Sequence, residues 1–313
     1  MLAYIIRRLI ATIPVMGVVA VFVFLLLHLT PGDPATVIAG DYARPEDIAR
    51  IRARLGLDQP LYIQFFTWLG AVLQGDLGVS IFSNLPVSKL IGQRLEPTLA
   101  LSLSTIVFAV LTAVPLGVLA AWRAGTWIDR SVMLFAVLGF SVPVFVIGYV
   151  LMYVFSLQLG WFPVQGYKSI SEGVIPFLRS IALPTVALGV VYTALIARIS
   201  RASVLEVLTE DYIRTGRAKG LGNRMLLMKH ALKNAAVPIV TIIGIGIALL
   251  IGGVVVTESV FNIPGLGRLT IDAVLRRDYP IIQGVILVFS AVYVLVNLLI
   301  DVVYTLLDPR IRY

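Results

Sequence analysis

The chain has 313 residues, 59% of them hydrophobic and 13% charged, with 25 Lys and Arg against 17 Asp and Glu. Such apolar content exceeds what a soluble core of this length needs and excludes an ordinary soluble domain. Cysteine is absent, which removes disulfides and thiolate metal sites, and the formal charge of +8 is distributed as in a membrane protein, not as in a nucleic-acid binder.

Six apolar runs reach or approach the ~20 residues that cross a bilayer: 9–29, 99–121, 132–159, 181–197, 235–256 and 281–300. The first follows Arg7 and Arg8 but is longer than the ~7 to 15 residues of a signal-peptide core, so it reads as a retained helix. The segment 30–98 comes next and carries its own structure. Pro45, Glu46 and Asp47 open a helix, Arg50, Arg52 and Arg54 approach its end, Gly56 stops it, and Ile48, Ile51 and Leu55 share a face. After Pro60 a second helix carries Leu61, Phe65, Phe66, Trp68, Leu69 and Val72, too short to span and aromatic enough to lie in the interface.

The fourth run is the shortest, begins near Pro184 and is followed by Arg198 and Arg201, as a membrane-edge anchor would be. The loop 198–234 then reads as two helices. In the first, over 210–219, Thr209 is the expected N-cap and Glu210 and Asp211 put negative charge in the first turn. Arg217 and Lys219 put positive charge in the last, and Gly220 supplies the left-handed stop. A rod of about ten residues, roughly 15 Å long, is marginal alone in water, so something must hold it. A second helix is expected from Asn223 as its cap towards Asn234, with Met225, Leu226, Met228 and Leu232 as its apolar face. Two capped helices are more order than an anchoring charge requires, which points to a handle for a cytoplasmic partner.

In the fifth run Gly244, Ala248 and Gly252 form a strip of small residues, a packing seam against either another span or a sister subunit. In the segment 257–280, Pro264, Gly265 and Gly267 break the chain, 269–275 reads as a short helix, and Asp278, Tyr279 and Pro280 begin the last span. The Gly265–Gly267 turn lacks the strand and the later glycine of a nucleotide loop; it either contributes to a gate or turns the chain.

Charge sets the expected topology. With the first terminus inside, the cytoplasmic segments hold fourteen Lys and Arg and the two short outer loops five; the segment 30–98 exceeds the ~60-residue limit of the rule and is left aside. Both termini are therefore expected in the cytoplasm. No phosphate-binding G-x-x-x-x-G-K-[ST], H-E-x-x-H or G-x-S-x-G occurs, and His28 and His230 are expected on opposite sides. Glu258 and Asp301 are the acids nearest to hydrocarbon and are expected at span ends in reach of water. A conduit with so few ionisable groups at mid-span suits transport driven from elsewhere.

The loop residues Asp211, Tyr212, Arg214, Thr215, Arg217, Ala218, Lys219, Gly220 and Leu221, followed by His230, Leu232, Asn234 and Pro238, resemble the coupling loop of ABC-importer permeases of the dipeptide/oligopeptide/nickel family. Gly216 stands where that family usually has Ala, and Lys233 where Arg is common. The resemblance extends to PGDP at Pro31, LGLDQPL from Leu55, GDLG at Gly75, PVSKLIGQRL from Pro86, the 257–280 segment and LLDPRIRY from Leu306; Glu96 falls where the family often has Pro. It implies an all-α membrane protein, one permease domain over 1–313 with six transmembrane helices, short extracytoplasmic helices, both termini cytoplasmic and a location in the bacterial inner membrane. It also implies partners: a second homologous permease, two ATP-binding subunits that carry ATP and Mg, and an extracytoplasmic solute-binding protein, with no cofactor in this chain. The residues from Asp211 to Leu221 would dock on an ATP-binding subunit, and peptides or a similar small solute would pass by alternating access. The competing class is a self-sufficient secondary transporter or channel; an intramembrane hydrolase lacks a nucleophile–base pair.

Overall fold

The computed structural model describes residues 2–29, 35–36, 44–54 and 57–307. The order is α1 (Leu2–Leu29), α2 (Pro45–Arg54), α3 (Leu61–Leu73), α4 (Val87–Trp122), α5 (Trp127–Ser141) and α6 (Val144–Leu151), the last continued by a π-helical stretch at Met152–Gln158. Then come α7 (Val174–Leu208), α8 (Asp211–Ala218), α9 (Asn223–Met225), a π-helical stretch at Leu226–Ala231, α10 (Leu232–Asn234), α11 (Ala236–Val260), α12 (Leu266–Arg276) and α13 (Tyr279–Leu307). Among the described residues there is no strand, only an isolated bridge between Val79 and Pro86.

Among the described residues five helices, α1, α4, α7, α11 and α13, are long and apolar enough to cross a bilayer. The run 132–159 does not form the single helix expected of it: its two halves meet at a bend of 102° and make a sixth span only if counted together. Pro143 is the cause. It has no N–H for Gly139 O, and it holds Val142 in extended backbone, φ −87 and ψ 125. Pro97 and Pro115, by contrast, lie inside an uninterrupted α4 that also contains Glu96.

The contacts divide the chain into two units. The first is built on Glu96–Gly267 together with the chain from Leu295. Its centre is α7, the most buried of the spans, which extends well beyond the apolar run 181–197. Leu188, Tyr192, Ile196 and Ala197 of α7 share one core with Leu101, Ala109 and Ala113 of α4 and Leu250 and Val254 of α11. Two polar rungs join α4 to α7, Ser104 to Thr185 at 2.7 Å and Thr112 to Thr193 at 2.8 Å. Both rungs advance by the same number of residues in the same direction, so the two helices run parallel and start at the same end of the unit.

That starting end also gathers the loops. Glu96 accepts hydrogen bonds from Ser169 Oγ at 2.7 Å and Tyr167 O–H at 3.0 Å. Glu258, expected at the water, is instead wholly buried. Thr98 Oγ1 donates to its carboxylate at 2.6 Å and itself accepts the Leu266 N–H at 2.8 Å. The turn at Gly265 and Gly267 closes over this carboxylate because neither has a Cβ; one on Gly267 would lie 3.0 Å from Glu258 Oε2. Leu266 thereby starts α12 three residues earlier than 269. In the α11 strip, Gly244 packs on Ile300 of α13 within the chain, whereas nothing lies within 4 Å of where a Cβ of Gly252 would be.

The second unit comprises Ile6–Leu95 and Arg268–Val294. Phe24 of α1 meets Phe65 and Trp68 of α3 at ring-centroid distances of 5.4 and 5.8 Å, and His28 Nε2 lies 3.2 Å from Gln64 Oε1. Ser80 Oγ donates to Asp278 at 2.6 Å, and Gln283 Nε2 donates to Val23 O at 3.1 Å. The α3 helix buries no residue completely and leaves Leu61, Tyr62, Phe66 and Leu73 exposed, as an interfacial helix would. The 31–34 motif, the Ile51 side chain, Leu55, Gly56 and 308–313 lie outside the described residues.

Candidate coupling surface

The α8 helix has an inner seam and an outer face. Ile213 is fully buried and Gly216, one turn on, is buried beside it. Asp211, Tyr212, Arg214, Thr215, Arg217, Ala218, Lys219 and Gly220 are exposed, and Leu221 is half-buried. The polar residues of the motif are therefore exposed to solvent.

The seam is tight at Gly216. A Cβ there would lie 2.8 Å from Leu226 Cδ2 and 3.3 Å from Leu221 Cδ1. In place of the looser rod that a mid-helix glycine would give in isolation, α8 lies close on the second half of the loop, where the ends of Leu226 and Leu221 face Gly216. At its end Gly220 has φ +79, its N–H donates to Arg217 O at 3.0 Å, and the Leu221 N–H donates to Gly216 O at 3.1 Å. This is the paired bonding of a Schellman stop, with Leu221 folded back over Gly216 as its apolar contact.

The start differs from expectation. Thr209 does not cap α8; it closes α7, its Oγ1 donating to Glu206 O at 2.7 Å. Glu210 is the N-cap, in extended backbone and without a side-chain bond. Asp211 stands in the first turn and Arg217 in the last, complementing the helix dipole. The Arg214–Asp211 pair at 3.5 Å is highly exposed and adds little. Partial burial pushes the Tyr212 phenol up, opposed by the neighbouring Asn234 side chain.

The second half is likewise re-registered. Gly222, not Asn223, is the N-cap. Met225 and Met228, expected on the inner face, are exposed at 49% and 53%, while Leu226 and Ala231 are buried. The π-helical stretch between them is the reason: its i to i+5 bonding brings positions five apart onto one face. Leu227 and Leu232 pack against the core of Val118, Ala121, Val204, Ala235 and Ile239, which joins the ends of α4 and α7 to the start of α11. Of the inner residues, Leu226 lies on the apolar face read from the sequence and is buried, whereas Ile213 and the packing of Gly216 against it were not read there; their i and i+3 spacing was the available signal. Among the described residues no three His, Cys, Asp or Glu come together to hold a metal.

The surface therefore offers a basic helix supported from behind. The family described as binding-protein-dependent transport system inner membrane component matches residues 113–313, and its N-terminal counterpart matches 1–104. The sequence is 57% identical over 310 residues to the probable peptide ABC transporter permease protein y4tP of Sinorhizobium fredii, with 99% of each chain covered. It is 45% identical over 313 residues to the glutathione transport system permease protein GsiC of Escherichia coli, with 100% of each covered. The MetNI methionine ABC transporter, solved in inward-facing conformations, matches with a TM-score of 0.54 at 20% identity over 70% of this chain and 96% of that one, a likeness of fold.

Proposed function

The chain belongs to the family of binding-protein-dependent transport system inner membrane components and is a multi-pass permease subunit of an ABC importer, and we propose that it carries peptides or a chemically similar solute. The solute class rests on the relatives' names, a peptide permease at 57% identity and a glutathione permease at 45%. In this reading residues 1–313 act as one permease domain beside a second homologous permease. Two ATP-binding subunits supply ATP and Mg, and a solute-binding protein delivers cargo from outside. Six spans, counting α5 with α6 as one, leave both termini in the cytoplasm; the parallel course of α4 and α7 supports putting their starts on the same, outer side.

The observation that carries the reading is the outer face of α8. Its exposed residues, Asp211, Tyr212, Arg214, Thr215, Arg217, Ala218, Lys219 and Gly220, are held by a buried seam and a glycine stop, so a partner that grips them grips α7 as well. ATP then acts as a ligand with different affinity for two states, and α8 is the element through which one site biases the other. The lack of native cysteine makes this testable with single cysteines. Ala218→Cys is expected to crosslink to an ATP-binding subunit in the assembled complex, and Ser171→Cys to react with an impermeant maleimide from outside. Labelling of Ala218→Cys from outside, with no crosslink, would refute the reading.

A further inference from the structure

Three helices meet near the coupling loop. Gly117 of α4 lies so close to α7 that a Cβ there would be 2.6 Å from Ser200 Cβ and 2.7 Å from Ala197 O. One residue on from Ser200, Arg201 forks onto Asp129 in the first turn of α5: Nε bonds Oδ1, and Nη2 bonds Oδ2 at 2.7 Å. The carboxylate also accepts the Gly125 N–H at 2.9 Å, which fixes the turn between α4 and α5. Asp129 is 4% exposed, and the Arg201 side chain is 25% exposed.

A two-pronged guanidinium–carboxylate bond sets both distance and orientation, which a single contact does not. Ion pairs buried to this degree contribute little to net stability compared with apolar packing of the same volume. Geometry is what such a pair is suited to supply. Its place is informative: Arg201 lies about two turns before the end of α7, and α7 passes through Thr209 and Glu210 directly into α8. Any shift or roll of α8 carried along α7 reaches Arg201 before it reaches the middle of the unit.

We propose that Asp129 and Arg201 are positioning residues for transport, a strut that makes α5 follow α7 when the coupling helix moves, while Gly117 engages α4 at the same level. Closure of the ATP-binding subunits is thus delivered to three helices at once. The inference rests on the proposed role of α8 and adds the route by which its motion spreads.

The test uses the full complex in proteoliposomes with its ATP-binding subunits and binding protein. Asp129→Asn and Arg201→Lys are expected to assemble and to keep basal ATP hydrolysis within about twofold, while stimulation by the binding protein and solute uptake fall about tenfold or more. The double reversal Asp129→Arg with Arg201→Asp should recover uptake. Ser200→Ala, whose hydroxyl has no hydrogen-bond partner, should behave as wild type. Normal stimulation and uptake in Asp129→Asn would overturn the proposal. So would loss of assembly in both single variants, which would make the pair an assembly element, or a loss that the reversal does not recover in an assembled complex. Wild-type uptake that needs no ATP-binding subunit is a different failure, that of the α8 reading itself.

Discussion

Thr98 and Glu258, 160 residues apart in the chain, are joined by a 2.6 Å hydrogen bond in which the hydroxyl donates to a carboxylate with no exposed surface. A buried acceptor that loses a donor keeps its desolvation cost, so Thr98→Val should destabilise by about 1–3 kcal/mol. Gly265→Ala should do at least as much, because its Cβ would overlap the Glu258 carboxylate. Thermal unfolding of the complex in nanodiscs measures both. An unchanged transition in Thr98→Val would mean that the bond does not hold this turn.

Gly216 and Gly220 should respond in opposite ways to the same substitution. Gly220→Ala places a Cβ at φ +79 and should cost about 1–2 kcal/mol, read as faster hydrogen exchange through 217–222. Gly216→Ala gains up to about 1 kcal/mol of helix propensity and displaces only the end of Leu226, so its exchange and uptake should stay near wild type. Gly216→Phe has no such escape and should detach α8 from Leu226. Equal tolerance of Phe and Ala at 216 would contradict the inner seam.

Burial, and then its hydrogen bond to Glu96, push the Tyr167 phenol above the ordinary tyrosine range. A raised native value means that its contribution to stability is complete below the unfolded value of about 10 and is lost only as pH rises through the higher native value. The ultraviolet difference between wild type and Tyr167→Phe should therefore show no phenolate step near pH ~10. In a Glu96→Gln background the step should move down towards it. A step near the ordinary value in the parent would show that the Tyr167–Glu96 contact does not persist in solution.

Much of this architecture is legible in composition and spacing. Pro45, Pro60 and Gly220 mark helix ends, and the apolar runs mark five uninterrupted spans, because those signals are local and backbone-encoded. What local signals miss depends on contacts distant in sequence. Thr209 has the chemistry of an N-cap, yet it closes the preceding helix, since α7 stays helical through Leu208 where Ser200 and Arg201 are buried or paired. The 3.6-residue period put Met225 and Met228 inside, and a π-helical stretch rotates them out. Glu258 reads as an acid at the water until the turn at Gly265 and Gly267 folds over it. Pro143 breaks its span whereas Pro97 and Pro115 lie inside an uninterrupted helix, a difference that the presence of a proline alone does not reveal.

The most direct test is solute uptake into proteoliposomes holding the permease pair, with and without the ATP-binding subunits, for wild type and Ala218→Glu. Ala218 is exposed on the outer face of α8, so the variant should insert and fold normally, while a bulky acid at a docked surface should prevent close packing and leave a charge without a partner. Wild type is expected to concentrate solute only with ATP and the ATP-binding subunits, and Ala218→Glu to lose uptake together with subunit docking or its stimulation by the binding protein. Concentrative uptake without those subunits, driven by an ion gradient and indifferent to Ala218→Glu, would contradict the coupling role of α8.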